Sequence, residues 1–507
     1  MSRTENSLRN IKVSLFFQVM RMITNFFARK VFVMVLTQEY LGLNGTFSNI
    51  LSMLSLAELG IGTAITYSLY RPLAQHDEEQ IAALMRLYRR VYEIIGLVVA
   101  LLGFALAPFL PILIRDLPDI PHIYLIYLLF VLNSSLSYFF VYKQSLIIAD
   151  QRQYIVTICN ALFNILLCTV RAVFLWITGN YFVYLGLQIG LALVENLTLS
   201  YIADRLYPYV NAKPYGKLDP NTKKEIVKNT KGMIIHKASS VVVFSTDNLL
   251  ISSFVGVVEV GLYSNYLMIT QALSSVYLPL FNSLLASIGN LGVTADSRQV
   301  LSVFNRLNFV GNWLYGFSAV CLAILMNPFI ELWLGADYLF SPAIVGLIAL
   351  NFYVTGMRQA VGVFCSAEGL YWYGRRKAVV ESIINLVASV VLAVPYGIAG
   401  IFLGTFISTM TTCFWVEPLI LFEHGLRASA KPYFRDYAIN TLVTLLTVVA
   451  IWYISAVLPG KGLVLFVEKM AVCVVVGNIG YLLINCRREE FHYFVELLKK
   501  LLRRQKV

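Results

Sequence analysis

Charge is what this 507-residue sequence has least of. Asp, Glu, Lys and Arg together make up 13% of it, where a globular chain carries about 25%. That shortfall excludes an ordinary soluble enzyme. Histidines number 5, and the 7 cysteines stand singly, mostly within apolar runs. No pair has metal-ligand spacing and no disulfide framework is implied, so no metal is expected. A Gly-Lys-Ser/Thr phosphate loop is missing, which excludes direct drive by ATP. No nucleophile elbow is present either, so no catalytic residues are assigned and the chain is not expected to be an enzyme. The alternating ten-residue segments of a transmembrane barrel are absent too. Long loops between apolar runs are lacking on one side, and membrane polymerases that join sugars usually need one.

What is present is apolar: 58% of residues, in long runs, with a mean hydropathy of +0.71. This predicts an all-α polytopic membrane protein. Apolar windows place fourteen transmembrane helices, near 12–36, 43–70, 89–114, 122–148, 154–178, 182–205, 233–254, 261–289, 305–328, 342–366, 376–396, 399–423, 436–458 and 463–486. The formal charge of +12 suggests nucleic acid at first sight. Most of the 40 Lys and Arg, however, flank alternate connections, and the opposite connections hold only Arg115 and Lys461. That asymmetry is the signature of membrane topology with both termini cytoplasmic, and it excludes a nucleic-acid partner. The start is basic, with Arg3, Arg9 and Lys12, but Arg21 interrupts the apolar part and no small-residue cleavage site follows. An uncleaved first span is expected.

The first span carries too many polar groups for a helix facing lipid. At 100° per residue Ser14, Gln18, Arg21, Asn25 and Arg29 fall within an arc of about 80°. Arg21 lies roughly 12 Å inside a hydrocarbon layer about 30 Å thick, where an arginine costs about 2.5–3.5 kcal/mol on insertion scales. A stripe of this kind lines something wet and offers it positive charge. Guanidinium stays ionised in such a place and can grip anionic oxygens bidentately. Lys30 points away from the stripe and suits snorkelling.

Three inner stretches show structure of their own. In Gln75–Arg90, Asp77 and Gln80 suit a capping box, and Ile81, Leu84 and Tyr88 make an apolar face. Residues 207–232 form a basic cytoplasmic linker with a helix start at Asp219-Pro220. Residues 487–507 form an amphipathic tail, with Phe491, Phe494, Val495, Leu498 and Leu502 at helical spacing. All three suit helices on an anionic membrane surface. Other intramembrane polar groups are Asp247, with His236 and Ser240 near its face, and Arg358 in span 10. Arg171 and Glu195 suit a pair with each other, and Pro279 permits a bend in span 8.

An internal repeat appears at an offset of 219, where Tyr40-Leu41-Gly42-Leu43 falls on Glu259-Val260-Gly261-Leu262. Six spans separate the copies, so both have the same orientation. The expected architecture is two pseudo-twofold six-helix lobes, 1–206 and 233–424, followed by two extra C-terminal helices in 425–486.

Several stretches resemble a known family. Glu39-Tyr40-Leu41-Gly42-Leu43-Asn44-Gly45, Leu56-Ala57-Glu58-Leu59-Gly60-Ile61-Gly62, Tyr70-Arg71-Pro72-Leu73 and Thr246-Asp247-Asn248 are similar to the bacterial polysaccharide-repeat flippases. These belong to the multidrug/oligosaccharidyl-lipid/polysaccharide exporter superfamily. The resemblance implies a V-shaped protein with a cavity lined by the spans matching 1, 2, 7 and 8. It further implies alternating-access transport of an undecaprenyl-diphosphate-linked oligosaccharide from the inner to the outer leaflet of a bacterial plasma membrane. On that reading Gln18, Arg21, Asn25, Arg29, Glu58 and Arg358 are the candidate substrate-binding residues. Asp247, Glu381, Asn385 and Thr405 resemble a sodium site, so H+ or Na+ is the candidate coupling ion and no other cofactor is expected. The implied partners are a polyprenyl-diphosphate-linked glycan, membrane lipids, and glycan polymerase or glycosyltransferases. The alternatives are a lipid II or teichoic-precursor flippase, a drug or cation antiporter, and an integral glycan polymerase.

Overall fold

The structure, a computed structural model, describes residues 3–58, 61–150, 152–211, 246–370 and 373–504. Every regular element among the described residues is helical, and none is a strand. Among the described residues ten stretches are long and apolar enough to cross a membrane, from Glu78–Leu113 to Gly462–Asn485. The chain is therefore a multi-pass, all-α membrane protein. It packs as two compact units, Met1–Ser264 and Asn265–Val507.

The first unit contains α1 (Arg3–Val35), α2 (Gln38–Leu54), α3 (Ile61–Gln75), α4 (Glu78–Leu106), α5 (Ile123–Ala149), α6 (Gln153–Thr178) and α7 (Tyr181–Leu206). Helix α1 lies along α6, α6 along α7, and α5 against both α4 and α7. Residues 43–70, expected as one span, are broken. Helix α2 stops at Leu54, a 3-10 turn covers Ser55–Glu58, and α3 begins at Ile61. Two glycines near the break weaken helical continuity, and a Cβ at Gly62 would run into the hydroxyls of Tyr92 and Tyr88.

Gln75–Arg90 also differs from its expectation as a surface helix, because it begins the long α4. The Asp77 carboxylate accepts the backbone N–H of Gln80 at 3.0 Å and caps the helix, satisfying an otherwise orphaned donor. Ile81, Leu84 and Tyr88 are buried in a core with Ile65, Leu69 and Leu146. Their apolar face is thus covered by protein, since α3 and α5 flank it. Of the basic linker 207–232 only Tyr207–Asn211 are described, with Tyr207 and Val210 buried against the same core. The rest of the linker, with Asp219-Pro220, His236, Lys237 and Ser240, lies outside the described residues.

The 219-residue offset returns as a reciprocal contact. A Cβ on Gly42 would fall on the carbonyl oxygen of Val257, and one on Gly261 would stand 2.9 Å from the carbonyl oxygen of Gln38. Gln38 and Val257 are themselves 219 apart in the sequence, so the two copies touch in the self-complementary manner of a two-fold pair. The backbones approach because both crossing residues lack a side chain. Gly42→Ala is expected to cost about 1–3 kcal/mol by overpacking, read as a lower melting temperature in detergent. An unchanged melting curve would mean that α2 yields without strain.

Helix α8 (Val257–Asn282) carries the boundary between the units and continues through Pro279. The second unit then adds α9 (Leu285–Thr294), α10 (Ser297–Trp333), α11 (Pro342–Met357), α12 (Gln359–Ala367), α13 (Arg375–Ser408), α14 (Phe414–Ile420), α15 (Lys431–Ala456), α16 (Gly462–Asn485) and α17 (Glu489–Arg504). Helix α10 is its axis and packs on α11, α15 and α16. Helix α13 reverses at Gly397, whose φ of 56° suits glycine. Gly400 and Gly404 then bring its second arm against Leu392 and Ser389 of the first. The tail helix α17 docks on α10: Phe491 stacks on Trp313 with centroids 6.2 Å apart, and Phe494 on Phe309 at 6.1 Å. Arg306 covers the Tyr493 ring at 3.8 Å. Phe491 and Phe494, of the apolar face expected to lie on lipid, therefore pack on protein.

Candidate functional site

In the first unit the polar stripe of α1 divides between two surroundings. Arg21 Nη2 donates to Gln18 Oε1, one turn earlier, at 2.6 Å. Asn25 instead turns towards α6, where its Oδ1 accepts the Cys168 thiol at 2.9 Å. Arg29 Nη1 donates to Ser264 Oγ at 2.9 Å, and Ser264 in turn donates to the Gly261 carbonyl at 2.7 Å.

Arg171 joins this group from α6. Its Nη1 donates to Gln188 Oε1 at 2.7 Å, its guanidinium lies 4.6 Å from the Tyr184 centroid, and it is near enough to Arg29 to repel it. The expected pair of Arg171 with Glu195 does not form. The turn at Gly179–Asn180 sets α6 and α7 antiparallel, and that register faces 171 with 188. Glu195 instead takes the Asn160 amide at 3.0 Å once that amide is oriented to satisfy both groups. Within this unit no carboxylate of a described residue lies within the 4.0 Å of an ion pair to Arg21, Arg29 or Arg171. The cations that are paired here lie elsewhere, as in Lys143–Asp204 and Arg152–Asp150.

Glu58, a candidate substrate-binding residue outside the stripe, is held at the break between α2 and α3. It accepts the Tyr92 hydroxyl at the helix break, beside Tyr88, which bonds the Gly62 carbonyl at 3.1 Å and Ser145 at 2.9 Å. Asp247 stands near enough to Tyr263 to act on it electrostatically. It precedes a π-helical turn, Ile251–Val255, of a kind common at functional sites. That turn is tied to the segment after α4. Ser253 Oγ donates to the Leu113 carbonyl at 2.7 Å, the Arg115 backbone N–H to Ser252 at 3.0 Å, and the Arg115 side chain to Phe254 at 2.5 Å.

In the second unit the candidates separate into two groups. Arg358 grips Glu417 bidentately, Nε to Oε2 at 2.9 Å and Nη2 to Oε1 at 2.8 Å. Lys377 Nζ reaches the same Glu417 at 2.7 Å and Glu381 at 3.1 Å. Arg358, a candidate substrate contact, thus has its guanidinium fork filled by a carboxylate. Glu381 likewise stands in a neutral network of two cations and two anions. Sequence spacing does not bring Arg358, Lys377 and Glu417 together, because Arg358 sits between α11 and α12, Lys377 on α13 and Glu417 on α14. The network's signal was an acid on span 12 balancing cations on spans 10 and 11. Asn385 and Thr405 do meet, at 3.1 Å, with Ser408 at 3.4 Å. The Asn385 Oδ1 is buried without a partner, and the π-helical turn Thr409–Cys413 follows directly.

Apolar helices with broken spans and half-buried guanidiniums make up a membrane-embedded bundle, and three solved structures share this fold. The lipid II flippase MurJ, in an inward closed conformation, superposes with a TM-score of 0.67 at 14% identity over 94% of this chain and 98% of its own. An inward-facing multidrug resistance MATE family transporter of the MOP superfamily gives 0.62 at 12% identity, over 80% and 97%. A mutant of the Vibrio cholerae MATE transporter VcmN gives 0.54 at 12%, over 83% and 99%. No curated protein matches the sequence. The family model for polysaccharide biosynthesis proteins matches residues 7–285; the chain belongs to that family.

Proposed function

We propose that this protein is a secondary-active flippase. It carries undecaprenyl-diphosphate-linked oligosaccharide repeat units from the inner to the outer leaflet of a bacterial plasma membrane by alternating access. The observation that carries this reading is the set of guanidiniums on α1 and α6. Among the described residues Arg21, Arg29 and Arg171 have neutral partners only, so their charge remains for a phosphorylated headgroup. In this reading fourteen spans form two six-helix lobes and two extra helices, with both termini cytoplasmic. The isoprenoid tail stays in lipid while the headgroup crosses along the cationic stripe. A proton or Na+, at Asp247 or at the Asn385–Thr405 cluster, resets the cycle, and the chain makes and breaks no glycosidic bond. A cationic drug would be repelled by the same stripe. A lipid II or teichoic-precursor flippase shares the diphosphate, and complementation of defined glycan mutants separates the two.

The Gly42–Gly261 crossing and the Arg29–Ser264 bond must part for headgroup release at that end. A Cβ on Gly45 would stand 3.0 Å from Val260, close enough for a disulfide once both are cysteine. In a background without native cysteines, oxidised Gly45→Cys/Val260→Cys protein in liposomes is expected to stop flipping lipid-linked oligosaccharide and to resume on reduction. Undiminished flipping by the cross-linked protein would refute alternating access at this crossing.

A further inference from the structure

The second unit holds a cavity of ≈ 360 Å³ at the end where α10 and α15 begin and α16 hands over to α17. It belongs to neither group of residues considered above. Its volume is near the lower end for small-molecule sites. One wall is a ladder of amides on a single face of α10, Asn305, Asn308 and Asn312, at helical spacing of three and four. Asn308 is 8% exposed and Asn312 is 4% exposed. Asn308 makes no hydrogen bond to a described residue, and its amide borders the cavity. One turn further in, the Asn312 Oδ1 is buried with no partner. Buried amides are rarely left in this state, because an unmade hydrogen bond carries a full desolvation cost.

Four charged residues line the cavity, Arg435, Asp436, Arg488 and Glu490, and their formal charges cancel. Arg488 holds Asp436 through two bonds of 2.9 and 3.1 Å, and that pair also fixes the base of the tail helix. Phe304, Phe309, Phe422 and Tyr433 bring aromatic rings to the wall. A ligand for this site must be neutral, must both donate and accept hydrogen bonds to amides, and must present an apolar face to rings. Simple anions and cations fail the first condition, and acyl chains fail the second. We infer that this cavity binds a saccharide of one or two rings, either free or as the head of a lipid-linked glycan. The inference stands apart from the transport reading, since it concerns equilibrium binding within one unit.

The test uses full-length protein in nanodiscs titrated with glucose, N-acetylglucosamine, rhamnose and lactose, and separately with an extracted lipid-linked oligosaccharide fraction. Asn308→Leu and Asn312→Leu are compared with wild type. Neither change removes a bond made within the protein, so both variants are expected to melt at or above the wild-type temperature. Saturable binding of a free sugar, weakened at least tenfold in both variants, supports a site for sugar itself. The same weakening with only the lipid-linked fraction supports a site for the glycan head. Binding of neither, equal binding by folded variants, or saturation by phosphatidylethanolamine vesicles alone overturns the inference. A flippase that fails this test still flips, and a protein that binds sugar without flipping refutes only the transport reading.

Discussion

Replacing Arg21 by alanine is expected to abolish surface polysaccharide in cells whose membranes hold normal amounts of the protein. Among the described residues Arg21 bonds only Gln18, a neutral neighbour on the same helix, so its loss strands no described carboxylate. Stability should therefore be nearly unchanged. Transport should not be, because hydrogen bonds to charged groups are worth about 1.5–3 kcal/mol, which is roughly ten- to hundredfold in rate or affinity. Arg21→Lys keeps the charge and loses the fork, and an intermediate rate is expected. The measurement is flipping of lipid-linked oligosaccharide in liposomes, with melting temperature as the control for folding. Wild-type flipping by the alanine variant would remove the headgroup role from α1. Reduced flipping together with a collapse in melting temperature would assign Arg21 to packing.

The second large effect concerns stability. Glu417 neutralises both Arg358 and Lys377, with exposed fractions of 18, 13 and 22% for Arg358, Lys377 and Glu417. Glu417→Ala leaves two cations facing each other with one remaining anion, Glu381. Removing one partner of a buried ion pair costs about 3–5 kcal/mol, and melting in detergent should fall accordingly. The double variant Glu417→Leu/Arg358→Met leaves the balanced Lys377–Glu381 pair and is expected to regain most of the loss. Should Glu417→Ala melt like the wild type, the network would be shown to lie in water and to contribute little. Flipping by the rescued double variant would further separate Arg358 from substrate binding.

The candidate site was legible in the sequence only in part. A helix period placed Gln18, Arg21, Asn25 and Arg29 on one arc, because helical facing depends on spacing alone. That arc did not reveal that Asn25 meets Cys168 or that Arg29 meets Ser264, since those partners arrive from distant segments. The Asp77 cap and the repeat at Gly42 and Gly261 were readable because each rests on local chemistry. The break at Glu58 was hidden by a continuous apolar window, which records hydropathy and not backbone direction. The tail helix was recognised as amphipathic, yet a pattern of that kind does not say whether lipid or α10 covers it.

The sequence by itself determined residence in the membrane, the helical class and the positive sign of the first span. Each follows from run length, composition or spacing among neighbours along the chain, and lipid leaves an apolar segment little choice but to form a helix. Only the tertiary structure decided which charges are neutralised. Arg358 and Glu417 are 59 residues apart and meet through helix packing, while among the described residues Arg21 and Arg29 are left with neutral partners. Electrostatic energy depends on distance in space, and no pattern along the chain supplies that distance.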